Sequence, residues 1–217
     1  GRTNLDYRGL IHVPANNHIP IAPGERLSNL RSIIDQKGFA RVIEAHSGLS
    51  GIIAETSVLD HSGTVVEYDG LWESSLTDSA SKGLPDASIV GTESRLHTVN
   101  EILHVTRKPM IVDGDTGGEI PQFEFLVTSL ERMGVSAVIV EDKGYPKRNS
   151  LDNAASQSLE MPEKFAAKIE AGKLMTLSND FYIIARLESL IAGTGLEDAL
   201  YRAQLYLKAG VDGINNS

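Results

Sequence analysis

The sequence contains no cysteine among its 217 residues. Disulfides, thiolate zinc sites, iron–sulfur ligation and a cysteine nucleophile are therefore excluded within it. No apolar run approaches the roughly 20 residues of a membrane span, and residues 1–9 have no apolar stretch of signal-peptide type. We therefore expect no membrane partner and a cytoplasmic location.

Positive charge is sparse and scattered. Lys and Arg number 20 against 29 Asp and Glu, which gives a formal net charge of −9. Nucleic-acid-binding proteins usually carry a basic stripe, and none is visible, so we expect no nucleic-acid partner. A local cationic pocket remains compatible with this charge, and the expected partner is a small molecule.

The distribution of proline, asparagine and glycine divides the chain into two regions. Residues 1–25 carry prolines, asparagines and glycines at irregular spacing, and they are predicted to form an N-terminal arm or linker. Residues 26–217 alternate between short apolar runs and amphipathic stretches, as one barrel domain incomplete at its C-terminus would. The interruption at 57–69 is predicted to be an inserted loop or hairpin that turns at Ser62-Gly63.

The alternation predicts an α/β fold. Strands are expected near residues 40–44, 70–74, 109–113, 136–141, 181–186 and 211–214, with helices between them. Such runs favour a parallel sheet covered by helices, which both a doubly wound sheet and a barrel provide. Polar residues at the carboxyl end of successive strands favour a TIM-type (β/α)8 barrel, apparently truncated after about six strands; they are Glu44, Ser74, Asp113, Glu141 and Arg186.

Carboxylates follow two neighbouring strands. Asp113 and Asp115 end one strand and Glu141 ends the next, with Asp142 as a further candidate. Adjacent strands lie about 4.8 Å apart, so these groups can converge, and a hard cation such as Mg²⁺ would let them coexist. The alternative is a loop with helix-capping aspartates. Residues 113–124 also nearly match an EF-hand calcium loop, but a strand precedes them and Pro121 occupies the ninth position.

Two cationic features accompany the carboxylates. Residues 146–151 (PKRNSL) form a polar loop in which Lys147 and Asn149 could close on an anionic substrate, and the alternative is a solvated basic loop. Arg186 ends an apolar strand, where it either grips an anion or forms a structural pair with Glu188. His46 is predicted to be a packing residue rather than a base, and Trp72 to be core or pocket wall.

Six segments resemble, in order and spacing, the motifs of the phosphoenolpyruvate mutase/isocitrate lyase superfamily. The resemblance runs from about residue 26 to residue 214. The segments are 44–50 (EAHSGLS), 70–76 (GLWESSL) with Asp86 following, 113–117 (DGDTG), 141–143 (EDK), 146–151 (PKRNSL) and 185–193 (ARLESLIAG).

The resemblance implies roles for individual residues. Mg²⁺ would lie at Asp113, with Asp115 and Glu141 supporting it through water. Ser74 and the backbone near Leu76 would hold the pyruvyl carboxylate. The implied catalytic residues are Asp86, Lys147, Asn149, Ser150 and Arg186, and the implied substrate-binding residues are Trp72, Ser74, Leu76, Leu151 and Glu188.

The resemblance implies an isomerase that interconverts phosphoenolpyruvate and phosphonopyruvate in phosphonate biosynthesis. The lyases of the superfamily carry a catalytic cysteine, which is absent here. Phosphonopyruvate hydrolase has threonine in place of Asn149 and is the alternative enzyme.

Departures from the family pattern keep a non-catalytic truncated barrel open as a third interpretation. Asn216 stands near the place of a pocket histidine, and two barrel strands are missing. The implied assembly is a homo-oligomer, either a dimer or a tetramer.

Overall fold

A computed structural model of the protein describes residues 21–145 and 158–216. No helix in these two stretches is long and apolar enough to cross a membrane. The elements are α1 Pro23–Lys37, β1 Val42–Glu44, α2 Gly48–Thr56, β2 Val58–His61, β3 Thr64–Glu67, β4 Gly70–Glu73, α3 Ser75–Ser81, α4 Thr92–Leu103, β5 Met110–Asp113, α5 Ile120–Met133, β6 Ala137–Glu141, α6 Pro162–Met175, β7 Tyr182–Leu187, α7 Leu196–Lys208 and β8 Gly213–Asn216.

Six strands form one parallel sheet in the order β1-β4-β5-β6-β7-β8. A doubly wound sheet reverses its strand order at a switch point. Here each strand of the sheet lies beside the preceding one, with no reversal. This order, in a curled sheet, is that of a truncated TIM-type barrel and confirms the predicted fold class.

The two faces of the sheet differ in burial. Val112, Val138 and Ile183 are fully buried under the helices. Neighbouring residues along each strand point to the opposite face. On that face Trp72, Ile111 and Ile139 are only partly buried. The second face is therefore the lumen side of a barrel that the six strands do not close.

The predicted insertion is a hairpin. β2 and β3 pair antiparallel, and the turn residues Ser62 and Gly63 both have positive φ, 55° and 81°. Two left-handed residues match the two-residue turns that join antiparallel strands. The hairpin lies outside the main sheet, because β1 pairs directly with β4.

Three local features differ from the sequence predictions. Helix α1 begins at Pro23, which lies within the stretch predicted as an arm, and Pro suits a first helical turn. Helix α3 was not predicted, because its seven residues show no apolar periodicity. The sequence pattern predicts a helix over 162–171, but helix α6 continues to Met175.

The extension of α6 has a packing cause. Gly172 resembles a helix stop in the sequence, but it lies inside the helix, where a Cβ would come 2.4 Å from Cε1 of Phe123. The glycine therefore allows α6 to approach α5 closely instead of ending the helix.

Candidate active site

The polar residues predicted at strand ends do lie at one rim of the sheet. Asp113 ends β5, Glu141 ends β6 and Arg186 is the penultimate residue of β7. The strand register pairs Asp113 with Ile139 and Glu141 with Arg186. All three side chains therefore project from the lumen face.

Arg186 gathers three carboxylates. Its Nε donates to Oε1 of Glu188 at 2.8 Å, its Nη2 is bonded to Glu141, and its Nη1 lies 3.6 Å from Oδ2 of Asp113. Burial alone would lower the pKa of Arg186, but Asp113, Glu141 and Glu188 raise it above its ordinary value. The predicted Arg186–Glu188 pair exists, and Arg186 also reaches the acidic cluster.

Asp113 is oriented by its neighbours in the chain and in space. The Ser75 hydroxyl at the start of α3 donates to its Oδ2 at 2.9 Å. The backbone N–H of Asp115 donates to its Oδ1 at 3.0 Å. Since Asp113 is also 4% exposed, its carboxylate is held in a defined direction at the rim.

Sequence reasoning missed Arg95, which approaches the same loop from the helix side. Its Nη1 donates to the carbonyl of Asp113 at 2.7 Å, and its Nη2 lies 2.8 Å from Oδ2 of Asp115. Arg95, Val99 and Ile102 are all buried on α4 at i, i+4, i+7 spacing. This spacing placed the arginine on the apolar stripe and could have identified it.

Glu73 was also missed. It ends β4 fully buried, and Nη1 of Arg95 lies 4.0 Å from its Oε2. Within the two described stretches, neither carboxyl oxygen of Glu73 accepts a hydrogen bond. Burial raises the pKa of Glu73 to about 8, and the attraction of Arg95 only partly opposes this.

Asp142 does not join the cluster of Asp113 and Glu141. It accepts the backbone N–H of Glu188 at 2.9 Å and the hydroxyl of Tyr206 at 2.8 Å, and Arg202 lies 3.2 Å away. Burial raises the pKa of Asp142 despite these contacts. Its contacts join the residues that follow β6 and β7 to α7.

Lys143 belongs to the same rim. Its ammonium lies 3.5 Å from Glu188 and 4.0 Å from Glu141, and the residue is 2% exposed. The acidic cluster therefore has a second internal cation beside Arg186.

The remaining predicted residues divide into two groups. Trp72 is partly buried on the lumen face, and its indole N–H has no hydrogen-bond partner among the residues described. Ser74 precedes α3, Leu76 is 41% exposed, and Asp86 lies on the turn after α3. Four predicted residues lie outside the described residues, and their roles stay predictions: Lys147, Asn149, Ser150 and Leu151.

A cavity of about 170 Å³ opens beside this rim. It lies between the start of α4 and the loop that follows β5, and Arg95, Asp115, Gly117 and Tyr145 help to line it. Two of its lining residues, Arg95 and Asp115, are ion-paired with each other.

The carboxylate oxygens at this rim are the kind of ligand that magnesium prefers. Asp113 and Glu141 both approach one cationic group, the guanidinium of Arg186, so the position already favours a cation. Among the residues described, no group of three or more His, Asp or Glu side chains could hold a metal by itself. Mg²⁺ keeps several waters and commonly takes only one or two carboxylates, so the arrangement suits it better than a metal with a full protein ligand set.

Comparison with known proteins identifies the family of the chain. The family model for phosphoenolpyruvate phosphomutase matches residues 30–215. The chain belongs to the phosphoenolpyruvate phosphomutase family. A family member from Tetrahymena pyriformis, phosphoenolpyruvate phosphomutase, is 37% identical over 190 residues, which are 87% of this chain and 60% of that protein. The chain therefore spans about three-fifths of the length of this relative.

Two solved structures of the superfamily share the fold. Phosphoenolpyruvate phosphomutase from Streptomyces platensis subsp. rosaceus matches with a TM-score of 0.80 and 36% identity, over 88% of this chain and 63% of that one. Phosphonopyruvate hydrolase in complex with oxalate and Mg²⁺ matches with a TM-score of 0.76 and 31% identity, over 91% and 63%. The family is thus shown, while relatives with two different reactions match this chain.

Proposed function

We propose that the protein is a magnesium-dependent phosphomutase that interconverts phosphoenolpyruvate and phosphonopyruvate. The observation that carries the proposal is the convergence of Asp113, Glu141 and Arg186 at one rim of the half-barrel. A carboxylate cluster beside a buried arginine suits a substrate that combines a metal-chelating pyruvyl group with an anionic phosphoryl group.

The reaction is an isomerisation and needs no second reactant. The carbon–phosphorus bond of phosphonopyruvate breaks, its electron pair remains on the pyruvyl part as an enolate, and the phosphoryl group then bonds to the enolate oxygen. In this scheme Arg186 and Asn149 hold the phosphoryl group while it changes partner. Ser74 and the backbone near Leu76 hold the pyruvyl carboxylate, and Trp72 and Glu188 complete the binding site.

The acidic residues orient the other end of the substrate. Asp113 would bind Mg²⁺ directly, with Asp115 and Glu141 holding its waters, and the metal would supply stabilisation of negative charge on the pyruvyl oxygen. Asp86, Lys147, Ser150 and Leu151 are proposed to exclude water, because water would divert the phosphoryl group to hydrolysis.

Hydrolysis of phosphonopyruvate is the alternative reaction, and the match to a phosphonopyruvate hydrolase supports keeping it. The sequence feature that favours the mutase is Asn149, where the hydrolase carries threonine. The absence of cysteine disfavours the lyase chemistry of the superfamily. A role in phosphonate biosynthesis, a cytoplasmic location and a homo-oligomer, dimer or tetramer, stay predictions.

A ³¹P NMR time course of phosphonopyruvate with the purified protein and Mg²⁺ tests the proposal. We expect phosphoenolpyruvate to appear, and Asn149→Thr to divert product towards inorganic phosphate. Asp113→Asn is the matched control and should abolish both products. Inorganic phosphate and pyruvate from the wild type, without phosphoenolpyruvate, would assign the hydrolase instead. No turnover at all would favour the non-catalytic barrel.

A further inference from the structure

The acidic loop, residues 113–118, is held from both sides of the sheet. On the lumen side Arg186 and Ser75 contact the Asp113 carboxylate. On the helix side Arg95 contacts the Asp113 carbonyl and the Asp115 carboxylate. Arg186 is already assigned to the phosphoryl group, whereas Arg95 has no role in the scheme above.

The backbone of the acidic loop needs external support. Asp115 adopts a left-handed conformation with φ 53°, which side chains other than glycine enter at a cost. Gly117 and Gly118 follow with φ 73° and 68°. The loop is tied to β6, because the N–H of Glu141 donates to the Asp115 carbonyl at 2.8 Å.

Arg95 can fix the position of the acidic loop as well as balance its charge. Its side chain is 5% exposed, and two of its nitrogens reach two different groups of the loop. A planar, forked donor that spans a carbonyl and a carboxylate restrains both distance and angle.

We infer that Arg95 is a positioning residue that sets the acidic loop for Mg²⁺ binding by spanning the Asp113 carbonyl and the Asp115 carboxylate. The inference rests on the proposed function, since it assumes that Mg²⁺ binds at this loop. Arg95 acts through Asp113 and Asp115 and is not assigned a contact with the substrate.

The test compares Mg²⁺ affinity with stability in the absence of substrate. Isothermal titration calorimetry should show Arg95→Met binding Mg²⁺ roughly tenfold more weakly than the wild type, the low end of losses seen when residues behind metal ligands are replaced. Hydrogen exchange of residues 114–118 should accelerate in this variant without Mg²⁺. Arg95→Lys should fall between the two proteins in affinity, because it keeps the charge and loses the fork.

Arg26 provides the matched control. It is 6% exposed and donates to the carbonyls of Met133 and Leu103, which end α5 and α4 at the opposite end of the barrel. Arg26→Met should lower the melting temperature while leaving the Mg²⁺ dissociation constant within about twofold of wild type. This contrast separates positioning of the loop from a general loss of stability.

The outcomes are distinguishable. A folded Arg95→Met protein with wild-type Mg²⁺ affinity would overturn the inference and leave the proposed function standing. A wild-type protein that binds no Mg²⁺ would overturn the proposed function and the inference with it. If Arg95→Met does not fold, Arg95→Lys decides, and unchanged affinity in that variant overturns the inference.

Discussion

At the scale of single residues, the buried carboxyl of Glu73 has a consequence for stability. Its pKa of about 8 exceeds the value of 4.5 that an exposed glutamate would have. Between these pH values the folded protein binds a proton that the unfolded chain does not. Stability therefore falls as pH rises through this window, by up to ~1.4 kcal/mol per pH unit from this residue.

Glu73→Gln should remove this pH dependence. We expect the free energy of unfolding of the variant, relative to wild type, to increase steadily from about pH 5 to about pH 8 and then level off. Urea denaturation across this range is the measurement. Glu170→Gln, at an exposed position of α6, is the control and should show no such trend. A difference that stays constant with pH would show that Glu73 is already ionised.

From the residues alone, the sequence predicted which polar side chains lie together only where strand ends fixed their location. Asp113, Glu141 and Arg186 were predicted together because parallel strands bring their carboxyl ends to one edge, and Glu188 was predicted as a possible partner of Arg186. Arg95 and Glu73 were missed because their contact joins a helix and a strand, and its existence depends on how far a long side chain reaches. Asp142 was misjudged for a related reason, since its neighbour Glu141 faces the lumen and Asp142 does not.

At the scale of secondary-structure elements, the α5–α6 contact depends on Gly172, which has no side chain. Gly172→Ala would place a methyl group 2.4 Å from Cε1 of Phe123 and 3.2 Å from Cδ1 of Ile183. The helix must shift, so we expect a loss of about 1–3 kcal/mol in the free energy of unfolding despite the better helix propensity of alanine.

Gly24→Ala is the matched control for this prediction. Gly24 lies in α1, and nothing approaches within 4 Å of its Cβ position. Chemical denaturation should show no loss, or a gain of up to about 1 kcal/mol. Equal effects of the two substitutions would contradict the packing explanation for the length of α6.

At the scale of elements, hydrophobic pattern predicted the order and type of nearly every helix and strand, including the turn of the inserted hairpin. It failed where tertiary contacts decide. Helix α3 has only seven residues, most of them polar, and follows β4 after the single residue Ser74. A segment this short shows no apolar periodicity from which a helix could be predicted. The end of α6 was predicted too early because Gly172 resembles a helix stop. The side chain that requires a glycine there, Phe123, lies on α5.

At the scale of the whole molecule, the open sheet predicts uneven local stability. β6 lies between β5 and β7, and Val138 and Val140 are fully buried. Among the strands of the described residues, β8 pairs with β7 alone, and Asn215 and Asn216 are exposed. The centre of the sheet should therefore open only with global unfolding, whereas its edge opens locally.

Native-state hydrogen exchange on this 217-residue chain measures that difference. We expect the amides of Val138 and Val140 to be the slowest class, and those of β8 to exchange at least about tenfold faster. Similar protection at the centre and at the β8 edge would contradict this expectation. It is the result expected if a second chain covers the edge, as in the predicted homo-oligomer.

The two ends of the segment that follows β6 are joined to each other by backbone hydrogen bonds. Gly144 donates its N–H to the carbonyl of Ser158 at 2.7 Å, and Glu160 donates to the carbonyl of Asp142 at 2.8 Å. Lys143 and Leu159 form an antiparallel bridge between these bonds. Because backbone hydrogen bonds join the two ends of this connection, we expect substitutions between residues 145 and 158 to leave the sheet unaltered. The chemistry at the rim could then change through this connection alone, both in evolution and in a laboratory chimaera.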